Sequence, residues 1–341
     1  MRYRKVGKSG LKISEISLGS WLTYGGTVDN EVAKKCMATA LDNGVNFIDS
    51  AEIYAGGKAE EVIAQFLRDE NVSRRNLVIS SKVFWPTSEE ITDWGNNRKN
   101  IMNAIDGTLE RLNLDHIDIY FLHRYDYTTP VRETIMAMDD LIKAGKVLYW
   151  GTSAWTAAQL ERVNAVAKES GAHRPIVEQP LYTIVEQPLY NMLSRFIELE
   201  ILAVGKTHGM GFTVFSPLAQ GLLTGKYNDG VPEGSRGATS QIMNKYLTEE
   251  NISKVRKLGE IASSLDITTG QLALAWVLRR PEVSTALVGA TKPEHVIENV
   301  RASDVSLSKN TLEEIESILD NAPEWPYPYH PNIFYEDKMG D

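Results

Sequence analysis

A single cysteine, Cys36, occurs in 341 residues, so no intramolecular disulfide can form, and the count fits a reducing compartment. Cys36 falls in an amphipathic stretch, Glu31 to Asn43, with nothing nearby to activate a thiol, and reads as a small buried side chain. Positive charge is in the minority: 36 Lys and Arg stand against 45 Asp and Glu, a formal net charge of -9. A uniformly acidic surface repels phosphate backbones, which argues against a nucleic-acid partner, while a local basic pocket can still take an anionic cofactor. No run reaches the roughly 20 apolar residues that span a bilayer, and the opening MRYRKVGKSG has no apolar signal core. The expectation is a cytoplasmic protein without membrane insertion. HExxH and paired-cysteine spacings are missing, the six histidines are scattered, and neither a GxSxG elbow nor a Walker sequence occurs. No metal is therefore expected, and serine- and P-loop-based chemistry has no support.

What is present is ordinary for a soluble globular chain, 43% hydrophobic and 24% charged. The length suits two average domains or one α/β barrel. Short β-rich runs occur at Glu15–Leu18, Val45–Asp49, Leu77–Lys82, Ile117–His123, Val147–Ser153, Pro175–Gln179, Gly211–Ser216 and Ser284–Gly289. Between them lie stretches with apolar residues three and four apart, at Asn30–Asn43, Ala59–Arg68, Arg98–Leu112, Val131–Ala144 and Thr156–Ser170. Thr156-Ala-Ala-Gln159 reads as a capping box, Ser73 precedes another start, and Gly44, Gly145 and Gly171 stand at helix ends. Strands alternating with helices imply a parallel sheet. The number of strands favours a closed (β/α)8 TIM barrel over an open doubly wound sheet. An open sheet would place GxGxxG after its first strand, where this chain has Leu18-Gly19-Ser20-Trp21. The expected organisation is one barrel domain over 1–341: an N-terminal hairpin (1–14, turning at Lys8-Ser9-Gly10), a long loop (217–245) and a C-terminal tail (322–341) rich in proline and aromatics. A second long loop covers Phe84–Asn97. Val177-Glu-Gln-Pro-Leu-Tyr-Thr-Ile184 is followed at once by Val185-Glu-Gln-Pro-Leu-Tyr-Asn-Met192. Six of the eight positions are identical, a local duplication far shorter than a solenoid unit.

Barrels of this kind carry their chemistry at the C-terminal strand ends. Those ends offer Asp49 with Tyr54 beyond it, Lys82, His123 with Arg124 and Asp126, Ser153, Gln179 or Gln187, and Ser216. A lysine ending a buried strand needs a partner, and Asp49 ends the neighbouring strand. An ammonium beside a tyrosine is expected to lower the phenol's pKa and make it a proton donor to a carbonyl oxygen, which His123 would orient. No side chain delivers hydride, so carbonyl reduction by this set implies a nicotinamide. Taken singly, an Asp–Lys pair at neighbouring strand ends reads equally as a structural ion pair, and one tyrosine among 14 says little. The joint placement carries the reading.

At these residues the chain resembles the aldo-keto reductase superfamily, over about Tyr3 to Asn321. The resemblance rests on Asn46-Phe-Ile-Asp-Ser-Ala-Glu-Ile-Tyr54, Ser81-Lys82-Val-Phe-Trp85, Tyr120-Phe-Leu-His123-Arg, Trp150-Gly-Thr-Ser153-Ala-Trp155, Phe215-Ser-Pro-Leu-Ala219 and Leu287-Val-Gly-Ala-Thr291 through Asn299. It is nearest the branch containing potassium-channel β subunits and their microbial relatives. The resemblance implies Tyr54 as proton donor, supported by Asp49, Lys82 and His123. It implies NADP(H) as cofactor, held at the nicotinamide by Ser153, a Glu-Gln glutamine (Gln179 or Gln187) and the ring of Phe215. The pyrophosphate path would follow Ser216, Pro217, Leu218, Gly221 and Lys226. Arg236, Gly289, Thr291, His295, Glu298 and Asn299 would surround the adenosine end. Ser20 and Trp21 would border the cofactor, with Trp21, Trp85, Tyr54 and His123 around a small carbonyl substrate. Ala154 stands where the family often has asparagine or arginine. His295 stands where arginine or glutamine often meets the 2′-phosphate, which leaves NADP against NAD open. Two readings follow: an oxidoreductase, assembled as a homo-oligomer by analogy with the branch, or a redox-sensing regulatory subunit with weak or no turnover.

Overall fold

The computed structural model describes residues 1–180, 192–240, 243 and 246–323. A hairpin opens the chain, with β1 (Tyr3–Lys5) antiparallel to β2 (Lys12–Ser14) around the expected turn. Eight parallel strands follow: β3 (Ile16–Gly19), β4 (Phe47–Asp49), β5 (Val78–Val83), β6 (Ile117–Leu122), β7 (Val147–Ser153), β8 (Val177–Gln179), β9 (Gly211–Phe215) and β10 (Val283–Val288). They pair in chain order, and β10 closes on β3, so the barrel has no free edge. The (β/α)8 expectation holds. The helices α1 (Asn30–Asp42), α2 (Lys58–Asp69), α3 (Arg98–Leu112), α4 (Val131–Lys143), α5 (Ala157–Ser170) and α6 (Ile201–His208) fall between the strands. After β9 come α7 (Arg236–Thr239), α8 (Glu249–Ser264) and α9 (Thr269–Leu278), and after β10 come α10 (Pro293–Arg301) and α11 (Lys309–Leu319).

Local chemistry explains the ends. Thr156 and Gln159 form the expected capping box at α5, and Gly171 ends that helix at φ 65°. Ser73 caps a single turn at Arg74–Asn76, not a long helix. The second strand starts later than its β-rich run. The Val45 amide still bonds to Ala40 at the exit of α1, and Asn46 is tied by side-chain bonds to Lys12 and Ser14 of the hairpin. Glu15, expected in the first strand, instead takes Arg2, Arg4 and Ser303 at the barrel bottom.

Alternation along each strand sorts two cores. On β5, Ile79 and Val83 face outward into the large core shared with the helices, while Val78 faces the barrel interior. Interior Phe47, Val78, Ile119, Phe121, Val177 and Leu287 meet Val6 and Ile13, so the hairpin plugs the bottom of the barrel. The interior is tight: a Cβ on Gly151 would lie 2.4 Å from Val177 Cγ1 and 2.7 Å from the Val177 carbonyl oxygen. Above this apolar floor the inward positions become polar, with Ser80 and Lys82 on β5, Gln179 on β8 and Thr213 on β9. The tail from residue 324 onward lies outside the described residues. Among the described residues no single helix is long and apolar enough to cross a membrane.

Candidate active site

Asp49 ends β4 and Lys82 lies near the end of the adjacent β5, so strand register alone brings the pair together. Lys82 Nζ donates to Asp49 Oδ2 at 2.7 Å and to the Ser50 carbonyl at 2.6 Å, with Lys82 fully buried and Asp49 3% exposed. Burial alone would push the ammonium down, but Asp49 and Tyr54 more than reverse it, and Lys82 is held above the ordinary lysine value. Asp49 Oδ1 accepts from Ser80 Oγ at 2.7 Å and from Gln179 Nε2 at 3.0 Å. The Ser80 bond was not foreseen, although Ser80 precedes Lys82 by two and so shares its face.

Tyr54 follows β4 in an irregular turn whose next three residues have positive φ (Ala55 51°, Gly56 63°, Gly57 89°). That turn sets the ring over the ion pair, with Lys82 Nζ 4.7 Å from the ring centroid. His123, just beyond β6, meets Tyr54 edge-on, with centroids 5.9 Å apart and planes at 76°. One expectation is corrected. The phenol is raised, not lowered, because desolvation outweighs Lys82 and Asp49 also opposes a phenolate. Lys82 is already neutralised by Asp49, so its influence limits the rise without reversing it. Burial, then Lys82 and Arg124, hold His123 well below its usual value. The imidazole is therefore neutral and can bond a carbonyl oxygen without adding charge.

Ser153 ends β7 in register with Gln179 on β8. Its hydroxyl is completely buried and has no hydrogen-bond partner among the described residues. Gln179 spends its side-chain amide nitrogen on Asp49 and on Thr213 at 3.4 Å, and its side-chain carbonyl oxygen accepts no hydrogen bond from a described residue. A donor and an acceptor thus stand side by side, which fits a carboxamide. Gln179 is on the strand. Gln187, in the second copy of the duplication, lies outside the described residues.

The remaining expected cofactor residues form an arc around the mouth. Ser20 follows β3, with its hydroxyl donating to Ser50 Oγ at 3.1 Å, and Trp21 comes next, 39% exposed. Phe215 ends β9 and packs on the interior core. Ser216 has φ 51° and accepts from Gln220 Nε2 at 2.8 Å. Pro217 is buried and Leu218 packs against the outer core. At Gly221 φ is 98°, and a Cβ there would sit 3.0 Å from Lys226 Nζ. Arg236, at the start of α7, donates to Gln220 Oε1, so this loop is tied into one unit. Gly289 follows β10. Thr291 Oγ1 and His295 Nδ1 are 3.4 Å apart across the start of α10, Asn299 is buried, and Glu298 accepts from Thr268 at 2.8 Å. The Glu298 carboxylate is therefore already engaged within the protein. Trp85 meets Phe84 edge-on at 5.0 Å and Trp94 at 6.0 Å, an aromatic wall beside Arg124.

Glu178 was not foreseen. It faces outward from β8, where it accepts from Thr152 Oγ1 and from the Trp155 amide at 3.2 Å, and burial pushes it up to about 7. It clamps the turn after Ser153, in which Ala154 is held at φ 61°. The Glu-Gln pair could have signalled it, since adjacent strand residues face opposite sides.

A family model described as the aldo/keto reductase family matches residues 15–320. The chain is 41% identical over 330 residues to a probable voltage-gated potassium channel subunit beta of Oryza sativa subsp. japonica, covering 95% of this chain and 98% of that protein. It is 40% identical over 336 residues to the protein of the same name from Arabidopsis thaliana, covering 96% and 100%. A putative voltage-gated potassium channel subunit beta of Schizosaccharomyces pombe is 39% identical over 331 residues, covering 94% of each chain.

Proposed function

The chain belongs to the aldo/keto reductase family, and on that premise we propose that it is an NADP(H)-dependent reductase converting an aldehyde or ketone to an alcohol. The observation that carries this is the buried Lys82–Asp49 pair beneath the Tyr54 ring, with neutral His123 across it. When bound, the nicotinamide supplies hydride to the carbonyl carbon. Tyr54 holds its proton at the phenolic oxygen, because desolvation keeps it in the acid form until the carbonyl oxygen becomes basic enough to take it. Lys82 stabilises the phenolate left behind, Asp49 fixes Lys82, and His123 orients the carbonyl oxygen. Ser153 and Gln179 would hold the carboxamide, and the loop of Ser216, Gly221, Lys226 and Arg236 would take the phosphates. His295 stands where arginine or glutamine often meets the 2′-phosphate, and Arg236 and Lys292 would supply the charge for NADP. The test is oxidation of NADPH with an aldehyde panel by wild type and Tyr54→Phe. The variant should keep NADPH binding and lose turnover; retained turnover removes Tyr54 from its role.

The names of the relatives favour a second role, as a potassium channel subunit, which with the cofactor reading above would report the cofactor's redox state. The check is binding to a purified channel's cytoplasmic domain with NADPH or NADP+ loaded. Equal or absent binding in the two states counts against it.

A further inference from the structure

Arg124 follows His123 directly and has no role in the proton transfer. It is partly buried, its Nη1 donates to the His123 carbonyl oxygen, and its guanidinium carbon lies 5.4 Å from the centre of the Trp85 ring. These two contacts fix the fork against the aromatic wall of the mouth. Burial pulls the guanidinium down to about 10, so it remains a cation at neutral pH.

Among the described residues Arg124 has no carboxylate partner, a feature it shares with Arg236, which bonds Gln220 instead. Arg74, Arg111 and Arg195, also partly or largely buried, hold Asp118, Glu60 and Glu198 at 2.7, 2.6 and 2.9 Å. Arg124 forms no ion pair with a described residue. The acid whose charge it feels, Glu178, is itself spent on Thr152 and the Trp155 amide. The Nε and Nη2 edge of Arg124 has no hydrogen bond to a described residue. A partly desolvated cation beside the reacting groups, with no ion pair among the described residues, gains most from an anion that arrives with the substrate.

We propose that Arg124 anchors an anionic group of the substrate, so that the preferred aldehydes or ketones carry a carboxylate or phosphate a few bonds from the carbonyl. This rests on the reductase reading, because Tyr54 and His123 mark the place of the carbonyl oxygen. The Arg124 charge is felt at both the Tyr54 phenol and the His123 imidazole, so imidazole and guanidinium can serve one small molecule. The planar fork suits bidentate oxyanions, and Phe84, Trp85 and Trp94 suit an aromatic or apolar body between the two ends.

The experiment compares kcat/KM for para-formylbenzoate, para-formylphenyl phosphate and the neutral methyl para-formylbenzoate, in wild type, Arg124→Gln and Arg124→Lys. Wild type should prefer at least one anion over the ester by about ten-fold or more, the size of one charge-assisted bond. Arg124→Gln should erase that ratio, mainly through KM, and Arg124→Lys should restore part of it. The better anion identifies the group. Equal rates in wild type, or a preference kept by Arg124→Gln, overturn the proposal. If not even the ester is reduced, the reductase reading has failed by itself. Benzoate binding, followed by tryptophan fluorescence, then decides: binding to wild type but not to Arg124→Gln supports the anion site, and any other result overturns it.

Discussion

Replacing Lys82 by methionine separates the structural from the chemical work of the buried pair. The change removes the 2.7 Å bond to Asp49 and the 2.6 Å bond to the Ser50 carbonyl, and leaves a carboxylate that is 3% exposed. Breaking a buried pair on one side costs about 3–5 kcal/mol. Asp49 keeps Ser80 and Gln179 as donors, so the lower end, about 3 kcal/mol, is expected. Adding Asp49→Asn removes the stranded charge while keeping an acceptor for both donors. The double variant should recover roughly 2 kcal/mol of that loss. Turnover should not recover, because nothing then stabilises the Tyr54 phenolate, a loss of about 100- to 1,000-fold. The folded state raises Lys82 above its unfolded value. The pair's stabilisation is therefore fully present below the ordinary lysine value near 10.4 and is lost only as pH rises through the folded value. Urea unfolding followed by tryptophan fluorescence, together with NADPH oxidation, reads both quantities at neutral pH. A Lys82→Met protein as stable as wild type, or a double variant that regains turnover along with stability, would refute the reasoning.

Three further outcomes follow from the same geometry. Carbonyl reduction should show a flat kcat/KM profile from above the Glu178 value of about 7 to the ordinary tyrosine value, about 10, because His123 is lowered and Tyr54 raised; an acid or alkaline limb inside that window counts against the assigned roles. Ser153→Ala should leave unfolding within about 0.5 kcal/mol of wild type, since its hydroxyl has no partner among the described residues, yet weaken NADPH binding by roughly 5- to 10-fold; unchanged affinity by fluorescence titration removes Ser153 from the site. Gly151→Ala should destabilise by about 2 kcal/mol or more, because its Cβ meets the Val177 side chain and backbone at 2.4 and 2.7 Å; denaturation equal to wild type would mean that the barrel floor yields.

Strand order and alternation are local properties, and the chain carries them openly. Eight β-rich runs with helical crossovers imply a closed barrel. In such a barrel the ends of β4, β5 and β6 are neighbours, so Asp49, Lys82 and His123 converge without any knowledge of loops. The duplicated segment left Gln179 and Gln187 open as the strand residue, and β8 carries Gln179. The direction of the Tyr54 shift was not legible, because it depends on how many atoms surround the phenol against one already neutralised lysine. Nor were the Ser80 and Gln179 bonds to Asp49, the Glu178 clamp, or the absence of an ion pair to Arg124 among the described residues. Those are sums over groups brought together from distant parts of the chain. The sequence by itself determined which side chains stand at the mouth, because a period of two and a count of eight need only neighbours along the chain. Which of them are charged, paired or left unsatisfied was decided only by the closed barrel, because desolvation and hydrogen bonding depend on everything within a few ångströms in space.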